Sequence, residues 1–352
     1  MRSATVSGRW RAIGLALALI ALTSCGGGGG GSSAPPGSKL FIVDAGNHAI
    51  LSFIDPLHPP GIDRVVTGSS TGLGLGVGSV FSIPSIALDA TGDRFYAATQ
   101  GNTFIFDSIG TADGNVPYSR LMSASVNTGG MNHVVNFFRI DLDKLNNILY
   151  TVDFAGEVHV FNNASTGGGS TPNRTIVPDL GTATVSGTFG IAIDVSRKML
   201  YVGVDLPGPA YSIIVFNNAD TANATTTPLA PNRTLNFAQS VGSFFLDTAQ
   251  DRLYVAQFNG VVLVFDSAST LATGTTPSPN RTITLLDPTQ YFIFVDLTRD
   301  KLYAVANPSS GNNFLIVDNA STSNDAGPVF PNGLVFSITA PNIQLSAVAV
   351  KP

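Results

Sequence analysis

Few residues of this sequence could do chemistry, and two of them, Arg139 and Asp141, form a conspicuous pair. They lie two positions apart in a segment with the pattern of a β-strand, and residues two apart face the same side of a strand. Opposite charges placed together in this way can bind a polar ligand. They can also form a structural ion pair, which is the more common role of such pairs in proteins. The ligand-binding role stays the alternative.

A second group of residues offers carboxylates and imidazoles that could hold a metal ion or move a proton. Its members are Asp44, His48, His133, Asp153 and Asp205. No His-x-His, His–Glu or carboxylate cluster in the sequence has the spacing of metal ligands. Asp44 and Asp153 occupy the same position of a repeat, which favours a role in a turn.

We therefore assign no catalytic, cofactor-binding or metal-ligating residue from the sequence. Arg139, Asp141, His133 and Asp153 are kept as candidate ligand contacts. No cofactor is predicted, and a divalent metal, calcium or zinc, is the alternative.

The elements that must position these residues form a repeat of about fifty residues. Its marker is an aromatic residue that recurs at intervals of 49 to 55 residues, at Phe41, Tyr96, Tyr150, Tyr201, Tyr254 and Tyr303. An aspartate precedes each of the five tyrosines by seven positions, at Asp89, Asp143, Asp194, Asp247 and Asp296. An offset repeated five times indicates a structural unit. The aspartate is expected to accept backbone hydrogen bonds in a turn, and the tyrosine to pack in the strand that follows.

Composition and pattern together predict an all-β protein. The chain has 352 residues, of which 44% are hydrophobic and 12% charged, and Glu157 is its only glutamate. Valine, isoleucine, phenylalanine, tyrosine and threonine favour strands, whereas glycine, asparagine and proline favour turns. Each repeat contains four short strand patterns, which is typical of a β-propeller blade.

The ends of the repeat region predict how the propeller closes. The first repeat begins at its tyrosine-type strand, and the chain ends with an apolar strand that no such strand follows. The chain should therefore form six four-stranded blades, with Ala347 to Val350 pairing beside Leu40 to Val43 in the first blade. Closure of this kind removes exposed strand edges.

The first repeat also carries a family resemblance. Its segment Phe41-Ile-Val-Asp-Ala-Gly-Asn-His-Ala-Ile50 resembles the consensus of NHL repeats, whereas the later repeats match that motif less well. Other six-bladed propellers include the gluconolactonase and regucalcin family. A resemblance to that family would imply a divalent metal ion in the channel, held by glutamate, asparagine and aspartate. Glu157 lies outside the channel-lining strands, which counts against that activity.

The N-terminus predicts a lipid anchor. Arginines precede the apolar run from Ala12 to Leu22, which ends in Leu22-Thr-Ser-Cys25 and resembles a bacterial lipobox. We expect a signal peptide at 1–24, a lipidated Cys25 with a Gly/Ser/Pro tether at 25–38, and a propeller at 39–352. Glycine after the cysteine suggests the outer membrane as the location.

Charge limits the partners of such a protein. The formal net charge is −5, and loss of the three arginines in the signal peptide would lower it by 3, to −8. An acidic domain without a basic cluster is a poor binder of nucleic acid. We expect a monomeric, non-enzymatic binding or scaffold lipoprotein of the cell envelope, held to the membrane by its lipid, that recognises a protein, peptide or glycan through a loop face. The alternative is a metal-dependent hydrolase or lactonase at the channel mouth.

Overall fold

The structure is a computed structural model. It describes residues 37–57, 61–73, 85–99, 101–123, 125–128, 131–134, 137–169, 171–206, 210–274, 277–285, 291–306, 314–324, 334–336 and 344–352. Contacts divide the chain into two units, 1–32 and 33–352, and the first of these lies outside the described residues. In the part of the chain that is described, no helix is both long enough and apolar enough to span a bilayer.

The described chain consists almost wholly of β-strands. In order they are β1 (Lys39–Asp44), β2 (Ala49–Phe53), β3 (Arg64–Val66), β4 (Ser85–Asp89), β5 (Arg94–Thr99), β6 (Asn102–Asp107), β7 (Arg120–Ser123), β8 (Ser125–Thr128), β9 (Met131–Val134), β10 (Phe137–Asp143), β11 (Ile148–Asp153), β12 (Val158–Asn162), β13 (Arg174–Pro178), β14 (Gly187–Asp194), β15 (Met199–Leu206), β16 (Ala210–Phe216), β17 (Ala224–Leu229), β18 (Arg233–Phe237), β19 (Val241–Asp247), β20 (Arg252–Gln257), β21 (Val261–Asp266), β22 (Arg281–Thr284), β23 (Tyr291–Asp296), β24 (Lys301–Ala306), β25 (Phe314–Asp318), β26 (Leu334–Phe336) and β27 (Leu345–Lys351). Two single-turn 3-10 helices are also present, Ser69–Thr71 and Ala268–Thr270.

These strands form the six blades of a propeller, which confirms the predicted all-β fold. From the inner to the outer strand, blade 1 is β27-β1-β2-β3, blade 2 is β4-β5-β6-β7, and blade 3 is β10-β11-β12-β13. Blade 4 is β14-β15-β16-β18, blade 5 is β19-β20-β21-β22, and blade 6 is β23-β24-β25-β26. Strands β8 and β9 form a separate hairpin between blades 2 and 3. The six inner strands contact one another in sequence around a closed ring.

The ring closes as the sequence predicted. The C-terminal strand β27 is the inner strand of blade 1 and pairs antiparallel with β1, with Leu40 opposite Val350 and Val43 opposite Ala347. The inner strand of blade 1 is therefore formed by Leu345–Lys351, although the other three strands of that blade come from residues 39–66.

The repeated aspartates and tyrosines have the structural roles expected of them. In blade 5, Asp247 Oδ1 accepts the backbone N–H groups of Ala249 and Gln250 in the turn between the first two strands, at 3.0 Å each. Asp251 completes this turn with a φ of 53°. The five tyrosines are fully buried between the sheets. Each aspartate thus shapes a turn that leads into a strand fixed by an aromatic side chain.

In blades 1 to 5 the outer edge is covered by the next blade along the chain. We call the loop between the third and fourth strands of a blade its outer loop. The outer loop of blade 2 bonds to the last strand of blade 1, where Gly114 N–H donates to the carbonyl of Val65 at 2.8 Å. In blade 4 the outer loop contains β17, which joins blade 3 as a fifth, parallel strand. These contacts satisfy backbone groups that an exposed edge strand would offer to another chain.

The propeller has two distinct faces. The turn face carries the first-to-second-strand turns and the outer loops, whereas the loop face carries the second-to-third-strand turns and the connections between blades. Ser38, just before β1, lies on the turn face, where its hydroxyl accepts a hydrogen bond from Arg299 Nη2 at 2.7 Å. The segment that precedes the propeller is therefore joined to the turn face.

Candidate functional site

Arg139 lies on β10, the inner strand of blade 3, and projects into the central channel. Its side chain is buried, with its guanidinium carbon 4.9 Å from the ring centroid of Phe138 and 5.1 Å from that of Phe292. Phe292 belongs to the inner strand of blade 6, three blades away in the ring. Arg139 therefore crosses the channel and stacks on the opposite blade. Burial lowers the pKa of Arg139 to about 9, so it is still protonated at neutral pH.

Asp141 joins two inner strands. Its carboxylate accepts the backbone N–H of Leu142 through one oxygen and that of Ile193, in blade 4, through the other, each at 2.8 Å. Burial raises the pKa of Asp141, and these two hydrogen bonds oppose that effect. Ser243 acts similarly between blades 5 and 6, where its hydroxyl accepts the N–H of Ile293 at 3.1 Å. Inner strands are edge strands that face the channel, so such bonds satisfy backbone groups that a neighbouring strand would otherwise bond.

The channel wall beside Arg139 is aromatic. The rings of Phe245 and Phe294, on the inner strands of blades 5 and 6, meet nearly edge to face with their centroids 5.3 Å apart. The channel near Arg139 is thus lined by apolar rings and by a guanidinium that stacks on one of them. An enzyme with its active site in the channel would need several polar groups at this place to contact its substrate. The arrangement suits a structural brace.

A different group of residues comes together at the loop face of blade 3, and we call it the Asp–Glu–His cluster. It consists of Asp153 at the end of β11, Glu157 just before β12 and His159 within β12, and one ligand atom of each lies within 4.8 Å of the others. His159 Nε2 is 3.3 Å from Asp153 Oδ2. Among the described residues, this is the group of three such side chains whose donor atoms could meet on one metal ion.

The backbone of the turn holds the cluster in place. Asp153 Oδ1 accepts the N–H groups of Ala155 and Glu157, at 3.0 and 2.9 Å, which leaves Oδ2 directed at His159. His159 is fully buried, with its ring 6.1 Å from that of Phe137. Its Nδ1 has no hydrogen-bond partner among the described residues. The imidazole thus makes its polar ring contact inside the cluster.

Glu157 brings a second negative charge close to Asp153. Burial raises the pKa of the Glu157 carboxyl, the charge of Asp153 raises it further, and His159 lowers it. Within the described residues the Glu157 carboxylate makes neither a hydrogen bond nor an ion pair. Two carboxylates and an imidazole held together in this way form a set of donors that suits a cation.

Of the other residues singled out from the sequence, Asp44, His48 and Asp205 do not join this cluster. Asp44 accepts the backbone N–H groups of Gly46, Asn47 and Gln344, which fits the predicted role in a turn. His48 occupies a turn with a φ of 51°, and Asp205 lies half-buried at the loop face of blade 4. The backbone of His133 lies in β9, and its side chain is outside the described part of the structure, as is Cys25.

Sequence reasoning identified Asp153 but missed Glu157 and His159. It placed Glu157 correctly between the second and third strands, away from the channel, but it found no His–Glu spacing typical of metal ligands, whereas the structure brings Glu157 and His159 together with Asp153. The register that puts His159 opposite Thr151 turns the imidazole back toward Asp153 across the hairpin. The signal that could have found it is a histidine in an otherwise apolar strand, two residues after the only glutamate.

Large apolar side chains are exposed on both faces. On the loop face, Phe154 and Phe258 follow the second strands of blades 3 and 5 and are 49% and 41% exposed. Phe154 also contacts Phe138 edge to face, with the ring centroids 5.7 Å apart. On the turn face, Leu145 is 84% exposed. The two phenylalanines occupy equivalent turns on strands that run in the same direction, so they project from the same face.

Comparison with known proteins gives a likeness of fold. No family model matches the chain, and no curated protein matches it. The crystal structure of the β-propeller domain of Cps50 (Swd1) from Myceliophteria thermophila is similar, with a TM-score of 0.49, 12% sequence identity and coverage of 90% of each chain. At that identity the likeness concerns the fold alone.

Proposed function

We propose that this protein is a lipid-anchored, non-enzymatic binding module of the bacterial cell envelope, and that its loop face recognises a partner protein or peptide. The observation that carries the proposal is the pair of exposed phenylalanines, Phe154 and Phe258, on turns of a rigid scaffold. Aromatic residues are enriched where proteins bind one another, and functional residues concentrate on loops that a rigid fold positions.

We propose that the two faces have different roles, with the anchor attached on the turn face and the partner bound on the loop face. The segment that leads to the predicted lipid at Cys25 joins the propeller at the turn face, through Ser38. A tether on that side leaves the loop face free to meet a partner. The glycine after Cys25 favours the outer membrane, and we propose that the propeller is of the NHL-like type on the strength of the motif from Phe41 to Ile50.

The channel gives a reason to prefer binding over catalysis. Arg139 spans the channel and stacks on Phe292, and Asp141 is bonded to backbone, so both candidate ligand contacts of the channel have structural partners. A glycan is the other class of ligand that exposed aromatic rings suit, because sugars stack on them. The experiment below separates the two classes.

The proposal is tested by site-specific photocrosslinking of the full chain in a bacterial envelope. A photoreactive residue replaces Phe154 in one variant and Leu145, on the opposite face, in the matched control. We expect a discrete, protease-sensitive adduct from position 154 that weakens in the Phe258→Ser background, and none from position 145. Equal adducts from both positions, or none from position 154, would contradict the loop-face assignment, and an adduct removed by glycosidases would overturn the protein partner.

The anchor is tested separately. We expect Cys25→Ser to abolish incorporation of a labelled fatty acid and to release the protein from the membrane fraction, because stable anchoring needs the acyl chains. A Cys25→Ser protein that stays in the membrane fraction and keeps its label would refute the lipid anchor.

A further inference from the structure

We propose that Asp153, Glu157 and His159 form a binding site for a divalent transition-metal ion, and that zinc is the ion that their donors fit best. The site lies at the loop face of blade 3, on the hairpin between β11 and β12. It is separate from the channel, and the inference does not rest on the binding function proposed above.

A cation would balance the charge of the cluster. Two carboxylates lie beside an imidazole, and the carboxylate of Glu157 makes no hydrogen bond or ion pair among the described residues. Like charges at this separation repel strongly when they are partly shielded from water. A bound divalent cation would neutralise both carboxylates at once.

The donor types select the ion. Imidazole nitrogen suits zinc and other transition metals, and zinc accepts carboxylate oxygen as readily. Calcium takes six to eight oxygen ligands, more than the three donors of this cluster, of which one is nitrogen. One histidine and two carboxylates would leave the fourth position of a tetrahedral zinc ion to water.

The geometry requires only a small adjustment. Ligand atoms bonded to one tetrahedral zinc ion at about 2.0–2.1 Å lie about 3.3–3.4 Å apart. His159 Nε2 and Asp153 Oδ2 already have that separation, at 3.3 Å. A ligand atom of Glu157 lies within 4.8 Å of ligand atoms of the other two residues, so its carboxylate has to move by up to about 2 Å to reach the same separation from both. That movement breaks no bond of the Glu157 side chain to any described residue.

Two further features fit a metal site. The N–H groups of Ala155 and Glu157 hold Asp153 Oδ1 and thereby orient Oδ2, as outer-shell hydrogen bonds do for metal-bound carboxylates. His159 is fully buried, and its Nε2 lies 3.3 Å from Asp153 Oδ2, so the ring presents this nitrogen to the cluster. A bound ion would also fix the turn that carries Phe154, which lies between the first two ligands in sequence.

Zinc titration of the purified full chain tests the site. All proteins carry Cys25→Ser, which removes the only thiol, and are stripped of metal with a chelator before calorimetry with zinc chloride. The informative variant is Glu157→Gln, because it removes a ligand charge and breaks no described bond. Asp205→Asn is the matched control, since it neutralises a half-buried carboxylate on the same face but outside the cluster.

We expect one zinc ion per chain and a rise in melting temperature on binding. The affinity should fall in Glu157→Gln by at least about 10–100-fold, the loss that is typical for removal of an outer-shell partner, and it should not fall in Asp205→Asn. Metal-free Glu157→Gln should unfold at a urea concentration no lower than that of its parent, which shows that the loss is not misfolding. Absence of stoichiometric zinc binding would overturn the proposal, and so would a Glu157→Gln protein that binds zinc as its parent does. Calcium binding at this site without zinc binding would also overturn it.

Discussion

Removal of the C-terminal strand should destabilise the whole propeller. Deletion of residues 345–352 takes away β27, the inner strand of blade 1, and with it the buried side chains of Leu345, Val348 and Val350, which are 1%, 6% and 4% exposed. Burial of one such side chain stabilises the fold by about 1.5–3 kcal/mol, so the three together contribute about 4.5–9 kcal/mol. The total stability of a domain is about 5–15 kcal/mol, so the deletion removes a large part of it.

The deletion also leaves β1 without its inner neighbour and reopens the ring. We expect the truncated chain to lose its cooperative urea transition, or to show it at a much lower urea concentration, when unfolding is followed by circular dichroism. Deletion of Pro352 alone, which is exposed, is the control and should have no effect. A peptide of residues 345–352 added to the truncated chain should restore part of the transition. A truncated chain with an unchanged midpoint and slope would show that closure by β27 does not stabilise the fold.

Two further predictions concern single residues. The pKa of Asp266 is lowered to about 2, mainly by the hydrogen bond from Arg281 and with help from Arg252, against the effect of burial. Because this lies below the unfolded value of about 3.8, the stabilisation is fully present above the unfolded pKa and is lost as the pH falls toward 2. The stability difference between wild type and Asp266→Asn in urea unfolding should therefore shrink across that interval, and a difference independent of pH would contradict the assignment. A Cβ at Gly190 would lie 2.3 Å from the ring of Phe244, whereas one at Gly169 meets no atom within 4 Å. We expect Gly190→Ala to lower the free energy of unfolding by about 1–3 kcal/mol and Gly169→Ala to leave it nearly unchanged, and equal effects would refute the packing argument.

The fold could be predicted from the sequence because its determinants are local and repeated. Asp247 and Tyr254 stand seven residues apart, and the same offset recurs in four other repeats. Five occurrences in one chain support the assignment of the aspartate to a turn and of the tyrosine to the strand that follows. The closure by β27 followed from counting strands at the two ends of the repeat region. Neither inference needed knowledge of side-chain positions.

The candidate site could be predicted only in part, because it departs from the repeat. Asp153 was visible as a carboxylate at the end of a strand, but its contact with His159 depends on the hairpin register and on the direction in which a buried imidazole points. The contact of Arg139 with Phe292 joins residues 153 positions apart on opposite blades. No spacing in the sequence indicates that they meet.

Because the outer edge of one blade is covered by the next blade along the chain, the order of synthesis determines when each edge becomes covered. Among the described junctions, the outer loop of blade 5 bonds to blade 4 through Gly274 and Thr234, and that of blade 6 bonds to blade 5 through Asn324 and Thr282. Since a chain is synthesised from its amino end, the most recently made blade always has an uncovered outer edge, while blade 1 still lacks its inner strand. The nascent protein therefore carries unpaired strand edges until β27 has been made and has paired with β1. Protection from aggregation in that interval has to come from outside the chain, and we expect the need for a holding chaperone to end only when β27 has been made.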